Sequence, residues 1–293
     1  MGLTSLLSVL GACQNSSKTA IDVILMAGQS NMVGCSTYSG LATSIGTEQF
    51  NAYQTGYKNI KISYSNWTKN DDGTYEEQNS SKNKFVTTLL GEGNSDLTFG
   101  MEVGIAETLM ENGYENKVAM IKYACGASNL LDDWAAPSTG KNSQFYPGLL
   151  AYAKKQLALL ESEGYKPTIK VFAWMQGEGD AFDGYCNEYL NQLSALVGGL
   201  RKDLASYEDA SSFGFVDGGI SDSTSWPRYQ IVNEAKKQFA AQDPAHNLFI
   251  DTIAAGLDKT KLQADNAHYI GSAMVSLSHL FAQDILTFLT PLS

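Results

Sequence analysis

Short apolar runs that stop at small-residue turns alternate along this chain with longer segments whose apolar residues recur at helical spacing. Val23 to Met26 is the first such run. It ends at Gly28, and Ser30 follows between Gln29 and Asn31. A short apolar run closed by glycine predicts a buried strand and a sharp turn. Val118 to Tyr123 and Ile169 to Trp174 repeat the pattern, running into Ala124-Cys-Gly-Ala-Ser-Asn129 and Met175-Gln-Gly-Glu-Gly-Asp180. Phe213 to Val216 and Leu248 to Ile250 are further strands. Helices are predicted over 99–113, 147–163, 188–207, 227–242 and 272–288. In the first, Val103, Ala106 and Met110 share a face and Gly113 is a stop signal. The last carries Met274, Leu277, Phe281, Ile285 and Phe288 as its buried stripe. Strands alternating with helices predict a parallel sheet covered on both faces, a three-layer α/β/α sandwich. No internal repeat or interdomain linker interrupts residues 21–293, which are expected to form one domain.

The stretch from Cys35 to Leu97 departs from this pattern. It is mostly polar and rich in Tyr, Asn, Ser, Thr and Gly. Asn59 to Tyr64 alternates, and Asn70-Asp-Asp-Gly73 is a turn signal before Thr74-Tyr-Glu, so a hairpin is predicted. Because the stretch leaves the sheet close to Ser30, it is expected to build a wall of any site there.

Composition narrows the function classes. The formal net charge is −11 and no cluster of Lys and Arg occurs, which argues against nucleic acid as a partner. The four cysteines, Cys13, Cys35, Cys125 and Cys186, include no CxxC pair, and only three histidines are present. No metal site is therefore expected. Cys35, Cys125 and Cys186 are read either as buried thiols or as containing one disulfide.

The chemistry gathers where the strands end. In a parallel sheet the turns at Gly28-Gln-Ser-Asn, Gly126-Ala-Ser-Asn and Gln176-Gly-Glu-Gly-Asp lie on one edge, where open α/β sheets bind ligands. Asp265-Asn-Ala-His268, before the last helix, adds an imidazole with a carboxylate three residues away. A serine hydroxyl is a weak nucleophile and needs a neighbouring base. Imidazole suits that task near neutral pH, and a carboxylate on its other nitrogen fixes the tautomer. The tetrahedral intermediate needs N–H donors aimed at its oxyanion, and losing one costs about 3 kcal/mol of barrier. His279 falls off the apolar stripe of its helix and His246 follows Pro244 in a turn, leaving His268 as the candidate base.

Four segments carry a family resemblance: Gly28-Gln-Ser-Asn-Met32, Lys122-Tyr-Ala-Cys-Gly-Ala-Ser128, Trp174-Met-Gln-Gly-Glu-Gly-Asp180 and Asp265-Asn-Ala-His268. In order and spacing they resemble the motif blocks of the sialate O-acetylesterase and acetylxylan esterase family of the SGNH-hydrolase superfamily, over most of residues 21–290. The resemblance implies a flavodoxin-like α/β/α fold with no metal or cofactor. It implies Ser30 as nucleophile, His268 as base and Asp265 as its acid. It suggests the backbone N–H groups of Ser30 and Gly126 and the side chain of Gln176 as the oxyanion hole. Glu178 either orients His268 in place of Asp265 or holds its own turn. Asp180 is expected to be structural, and Gln29 and Asn31 to brace the Ser30 turn.

These readings give a serine esterase that removes O-acetyl groups from a polysaccharide such as acetylated xylan, or alternatively from sialic acid. A non-catalytic glycan-binding protein on the same fold and an acyl hydrolase for lipid or thioester are the rivals. Tyr38, Tyr64, Trp67 and Trp134 are aromatic candidates for sugar stacking, although Trp134 is expected to be core. At the N-terminus, apolar Leu3 to Leu10, then Leu10-Gly-Ala-Cys13 and a polar stretch, resemble a bacterial lipoprotein leader with lipid on Cys13. The positive charge usual near the start of such leaders is missing. The apolar segment is too short to span a bilayer, and a secreted, periplasmic or surface-anchored location is expected.

Overall fold

The computed structural model describes residues 18–182, 184–207 and 209–292. The leader-like segment and Cys13 therefore lie outside the described residues. In chain order the elements are β1 (Thr19–Gly28), α1 (Ser30–Val33), β2 (Ser36–Thr37), α2 (Leu41–Ile45), α3 (Thr47–Thr55), β3 (Tyr57–Lys69), β4 (Tyr75–Ser80), β5 (Val86–Thr88), β6 (Thr98–Phe99) and α4 (Glu102–Glu111). Then come β7 (Val118–Gly126), α5 (Phe145–Ser162), β8 (Tyr165–Met175), α6 (Tyr189–Asp203), β9 (Gly214–Gly218), α7 (Tyr229–Gln242), β10 (Asn247–Ile250) and α8 (Gly271–Leu286).

The main sheet runs β10-β9-β8-β1-β7-β3-β4, with β5 on β3. The pairs from β10 through β3 are parallel, and β4 and β5 join β3 antiparallel. The five parallel strands β7-β1-β8-β9-β10 lie in the flavodoxin order 2-1-3-4-5, and β3 adds a sixth beyond β7. Alternation along β1 divides the interior. Val23, Leu25 and Ala27 enter a core with α5, α6 and α7, while Ile24 and Met26 enter a second core with α4 and α8. The helices meet these faces with the expected stripes: Leu149, Ala153, Leu157 and Leu160 on α5, and Met274, Leu277, Phe281 and Ile285 on α8, are all buried. Each of these Leu, Met, Ile and Phe side chains contributes about 1.5–3 kcal/mol on leaving water. The result is the three-layer α/β/α sandwich.

Two expectations change. The polar stretch 35–97 is not only a wall with a hairpin. It holds two helices and the 13-residue β3, whose outer half makes the hairpin with β4 and whose length pairs with β7 in the main sheet. The apolar signal is weak because β3 buries polar groups that have partners: Ser63 meets the Tyr152 hydroxyl at 2.8 Å, and Asn66 donates to the carbonyls of Glu92 and Gly93. The cysteines Cys35, Cys125 and Cys186 are all free thiols, so no disulfide joins them.

Candidate active site

β1 delivers Ser30 to the carboxyl edge of the sheet. Gly28 pairs with Ala124 of β7 on one side and Met175 of β8 on the other. It has φ +147°, and a Cβ there would sit 2.0 Å from the Met175 carbonyl oxygen, so glycine is required twice over. The chain then reverses into α1, with half-buried Ser30 as its first residue and Asn31 buried behind it. From β1 the next parallel strand lies on one side, and from β8 it lies on the other. Ser30 thus stands at the topological switch point, where sheets of this kind open a crevice.

The loop before α8 meets α1 from above. His268 Nδ1 lies 2.7 Å from Asp265 Oδ2, and Asp265 Oδ1 accepts the N–H groups of Ala267 at 2.9 Å and His268 at 3.1 Å. Burial works to raise the Asp265 carboxyl. The two N–H donors and the imidazole outweigh it and leave the group below its ordinary range. Asn31 then brackets the histidine. Its Nδ2 donates to the Ala267 carbonyl and its Oδ1 accepts from the Tyr269 N–H, both at 3.4 Å. The residue after Ser30 therefore holds both neighbours of His268. Among the described residues no hydrogen bond joins the Ser30 hydroxyl to His268. Such bonds are often long in unliganded sites.

The turn after β8 is tied to the same edge. Gln29 Oε1 accepts from Gln176 Nε2 at 3.1 Å and from the Gly177 and Gly179 N–H groups at 3.2 and 3.1 Å. Gln176, an expected oxyanion donor, sits among these ties. Its amide nitrogen, fully buried, donates to Asp180 Oδ2 at 2.6 Å and to Gln29, while its oxygen accepts from Tyr189. An amide has two N–H bonds. Here both meet acceptors within the protein, so Gln176 braces the edge. Asp180 also accepts the N–H groups of Leu130 and Leu131, which fastens the β8 turn to the β7 turn, and burial pushes its carboxyl up to about 6.

Glu178, the alternative acid, accepts Asn31 Nδ2 at 2.9 Å on Oε1, and its buried Oε2 has no partner among the described residues. Burial raises its carboxyl, against the opposing effects of Asn31, Lys236 and His268. Of the two acids, Asp265 holds the hydrogen bond to the imidazole. The other histidines are elsewhere: His246 pairs with Asp243, and His279 with Glu107.

Gly126 ends β7 beside Ser30, close enough that a Cβ on it would lie 3.9 Å from the serine Cβ. The next residue, Ala127, is exposed and adopts φ +57°, a left-handed conformation that costs a non-glycine residue roughly 1–2 kcal/mol. Two residues were missed in the sequence. Thr68 pairs with Gly126 across the sheet, and its hydroxyl borders the same spot. Lys122 is wholly buried and donates to the carbonyls of Val33 and Glu92 and to Glu102 Oε2, at 3.2, 2.9 and 2.9 Å, pinning the far end of α1. A lysine inside an apolar strand was its visible signal. Among the described residues no group of three or more His, Cys, Asp or Glu side chains is placed to hold a metal ion.

Ser30 at the switch point and the Asp265–His268 pair, linked to α1 through Asn31, thus share the carboxyl edge of a three-layer α/β/α sheet. The chain belongs to the carbohydrate esterase family described as sialic acid-specific acetylesterase, whose model matches residues 20–287. No curated protein matches the chain significantly. Among solved structures it is similar to a protein of Arabidopsis thaliana, with TM-score 0.62 and 18% identity over 92% of this chain and 100% of that one. It is also similar to NanS, with TM-score 0.56 and 15% identity over 93% and 98%. A carbohydrate acetylesterase of Xanthomonas citri gives TM-score 0.56 and 15% identity over 91% of this chain and 56% of that one. At these identities the structures speak for the fold. Among the described residues no helix is long and apolar enough to cross a membrane.

Proposed function

We propose that Ser30, His268 and Asp265 act as a catalytic triad that hydrolyses O-acetyl esters on a polysaccharide such as acetylated xylan. The observation that carries this reading is Asn31. It ties the residue next to Ser30 to both neighbours of His268, while Asp265 occupies the imidazole Nδ1. Nδ1 donates to Asp265, which leaves Nε2 free to accept a proton. Ser30 Oγ attacks the acetyl carbonyl carbon as its proton passes to Nε2. The oxyanion is met by the backbone N–H groups of Ser30 and Gly126. Collapse breaks the ester bond, and the sugar oxygen leaves with the proton from His268. Water, deprotonated by the same nitrogen, then attacks acetyl-Ser30, and acetate departs.

O-acetylated sialic acid is the second substrate reading, favoured by the description of the matching family. Acetate release from acetylated xylan and from O-acetylated sialic acid, measured side by side, separates the two. Ser30→Ala should fold and lose turnover by about 10⁴-fold or more. Substantial acetate release by a clean Ser30→Ala preparation would remove Ser30 as nucleophile. Release from neither substrate by the unmodified protein, with sugar binding kept, would favour the non-catalytic glycan-binding reading. For location, the proposal is a secreted or surface-held protein with lipid on Cys13. An unmodified Cys13 in mass spectra of the membrane fraction would exclude that anchor.

A further inference from the structure

A cavity of about 280 Å³ opens between the β3–β4 hairpin and α5, apart from the residues that surround Ser30. Its floor is aromatic. Tyr123 and Tyr152, only 7% and 9% exposed, line it together with Trp67. The Trp67 ring is fixed, because its Nε1 donates to Ser65 Oγ at 2.8 Å.

One hydroxyl open to this cavity has no protein partner among the described residues. Among the described residues no partner hydrogen-bonds the Tyr123 hydroxyl, although the residue is more than nine-tenths buried. Space is kept for that hydroxyl by Gly148, where a Cβ would lie 2.5 Å from the phenolic oxygen. The Ser80 hydroxyl, also on the cavity wall, is buried without a partner. Ser80 Oγ is sealed from the opening, whereas the Tyr123 hydroxyl is open to whatever enters the cavity. At the rim stand Glu77 and Lys155, of opposite sign, and the Asn83 amide, whose backbone adopts φ +60°.

We infer that this cavity is an accessory subsite for a neutral sugar unit of the glycan chain. Aromatic side chains suit the C–H faces of a pyranose, and the open Tyr123 hydroxyl suits one of its hydroxyls. Glu77 is paired with Lys82 at 3.4 Å and Lys155 is the single cation lining the cavity, so no cluster of cations awaits a phosphate or an acidic sugar. The position fits a polymer. Thr68 pairs with Gly126 at the active-site edge, and Ser65 pairs with Tyr123 three residues earlier on the same strands, about 10 Å away. A polymer deacetylated at Ser30 would thus pass within reach of the cavity. The biological sense of the subsite rests on the carbohydrate esterase reading, but its binding does not.

The test uses the full chain carrying Ser30→Ala, titrated calorimetrically with unacetylated xylohexaose, cellohexaose and mannohexaose. At least one should bind at millimolar concentration or tighter. Adding Ala151→Trp, on the exposed face of α5 at the cavity wall, should weaken that binding at least tenfold. Unchanged affinity, or no binding of any of the three, overturns the inference. If the Ala151→Trp protein does not fold, Tyr123→Phe takes its place, with at least threefold weakening expected and unchanged affinity again overturning the inference. Acetate release by the unmodified protein is measured separately, so a failed subsite and a failed esterase reading give different results.

Discussion

Asp265 and Glu178 compete for one role, and their surroundings separate them. Asp265 has its oxygens on His268 Nδ1 and on two backbone N–H groups of its own loop. Glu178 spends one oxygen on Asn31 and keeps the other buried without a partner among the described residues. Asp265→Asn would present an amide to the imidazole and favour the wrong tautomer, so kcat/KM on an acetyl ester should fall by about 10²–10⁴-fold. Glu178→Gln still offers an oxygen to Asn31 and should cost about tenfold or less. Steady-state kinetics of the two variants decide the point, and the reverse order would assign the triad acid to Glu178. The Asp265–His268 pair was legible because both residues lie in one four-residue segment. The tasks of Asn31 and Gln176 were not, because their partners are far away in sequence: Ala267 lies 236 positions from Asn31, and Gln29 lies 147 from Gln176. A short polar side chain in a turn looks the same whether it touches substrate or holds another turn.

At the level of elements, apolar periodicity located β1, β7, β8 and the five long helices because each turns a mainly apolar face to one of the two cores. β3 escaped because its interior is partly polar and its partners are contributed by α5 and the 92–93 segment. The anchoring of α1 shows a similar dependence on distant groups. Four residues make a weak helix, and what fixes it is Gly28 at one end and the Lys122 ammonium on the Val33 carbonyl at the other. Lys122 and Glu102 are both wholly buried. Removing the cation alone leaves a buried carboxylate with no counter-charge. Lys122→Met should therefore lose about 3–5 kcal/mol of stability, and the double variant Lys122→Met with Glu102→Gln should recover part of it. Urea unfolding of both proteins checks this. A single variant as stable as the unmodified chain would mean that α1 is held by Gly28 and its packing alone.

Across the whole molecule, the carboxyl edge of the sheet is assembled from segments that meet only when all the parallel strands are in register. Asp180 is its keystone, because it receives N–H groups from the β7 turn and from Gln176 of the β8 turn. Its carboxyl is pushed up to about 6, first by burial and against those three donors. An unfolded Asp titrates near 3.9. Between pH 4 and 6 the native state thus binds a proton that the unfolded chain has released. By linkage, the contribution of this group to stability is complete below about pH 4 and is lost as pH rises through about 6. The size of the effect is on the order of 3 kcal/mol at most. Asp180→Asn removes the titration, and it also sets an amide hydrogen against the Leu130 and Leu131 donors. The variant should be less stable at every pH, with the gap to the unmodified protein wider at pH 4.5 than at pH 7. Urea unfolding of both proteins at the two pH values measures the gap. A gap of constant size would mean that Asp180 stays ionised throughout, held by its donors in spite of burial, and the edge would then be locked by charge at every pH where the protein folds.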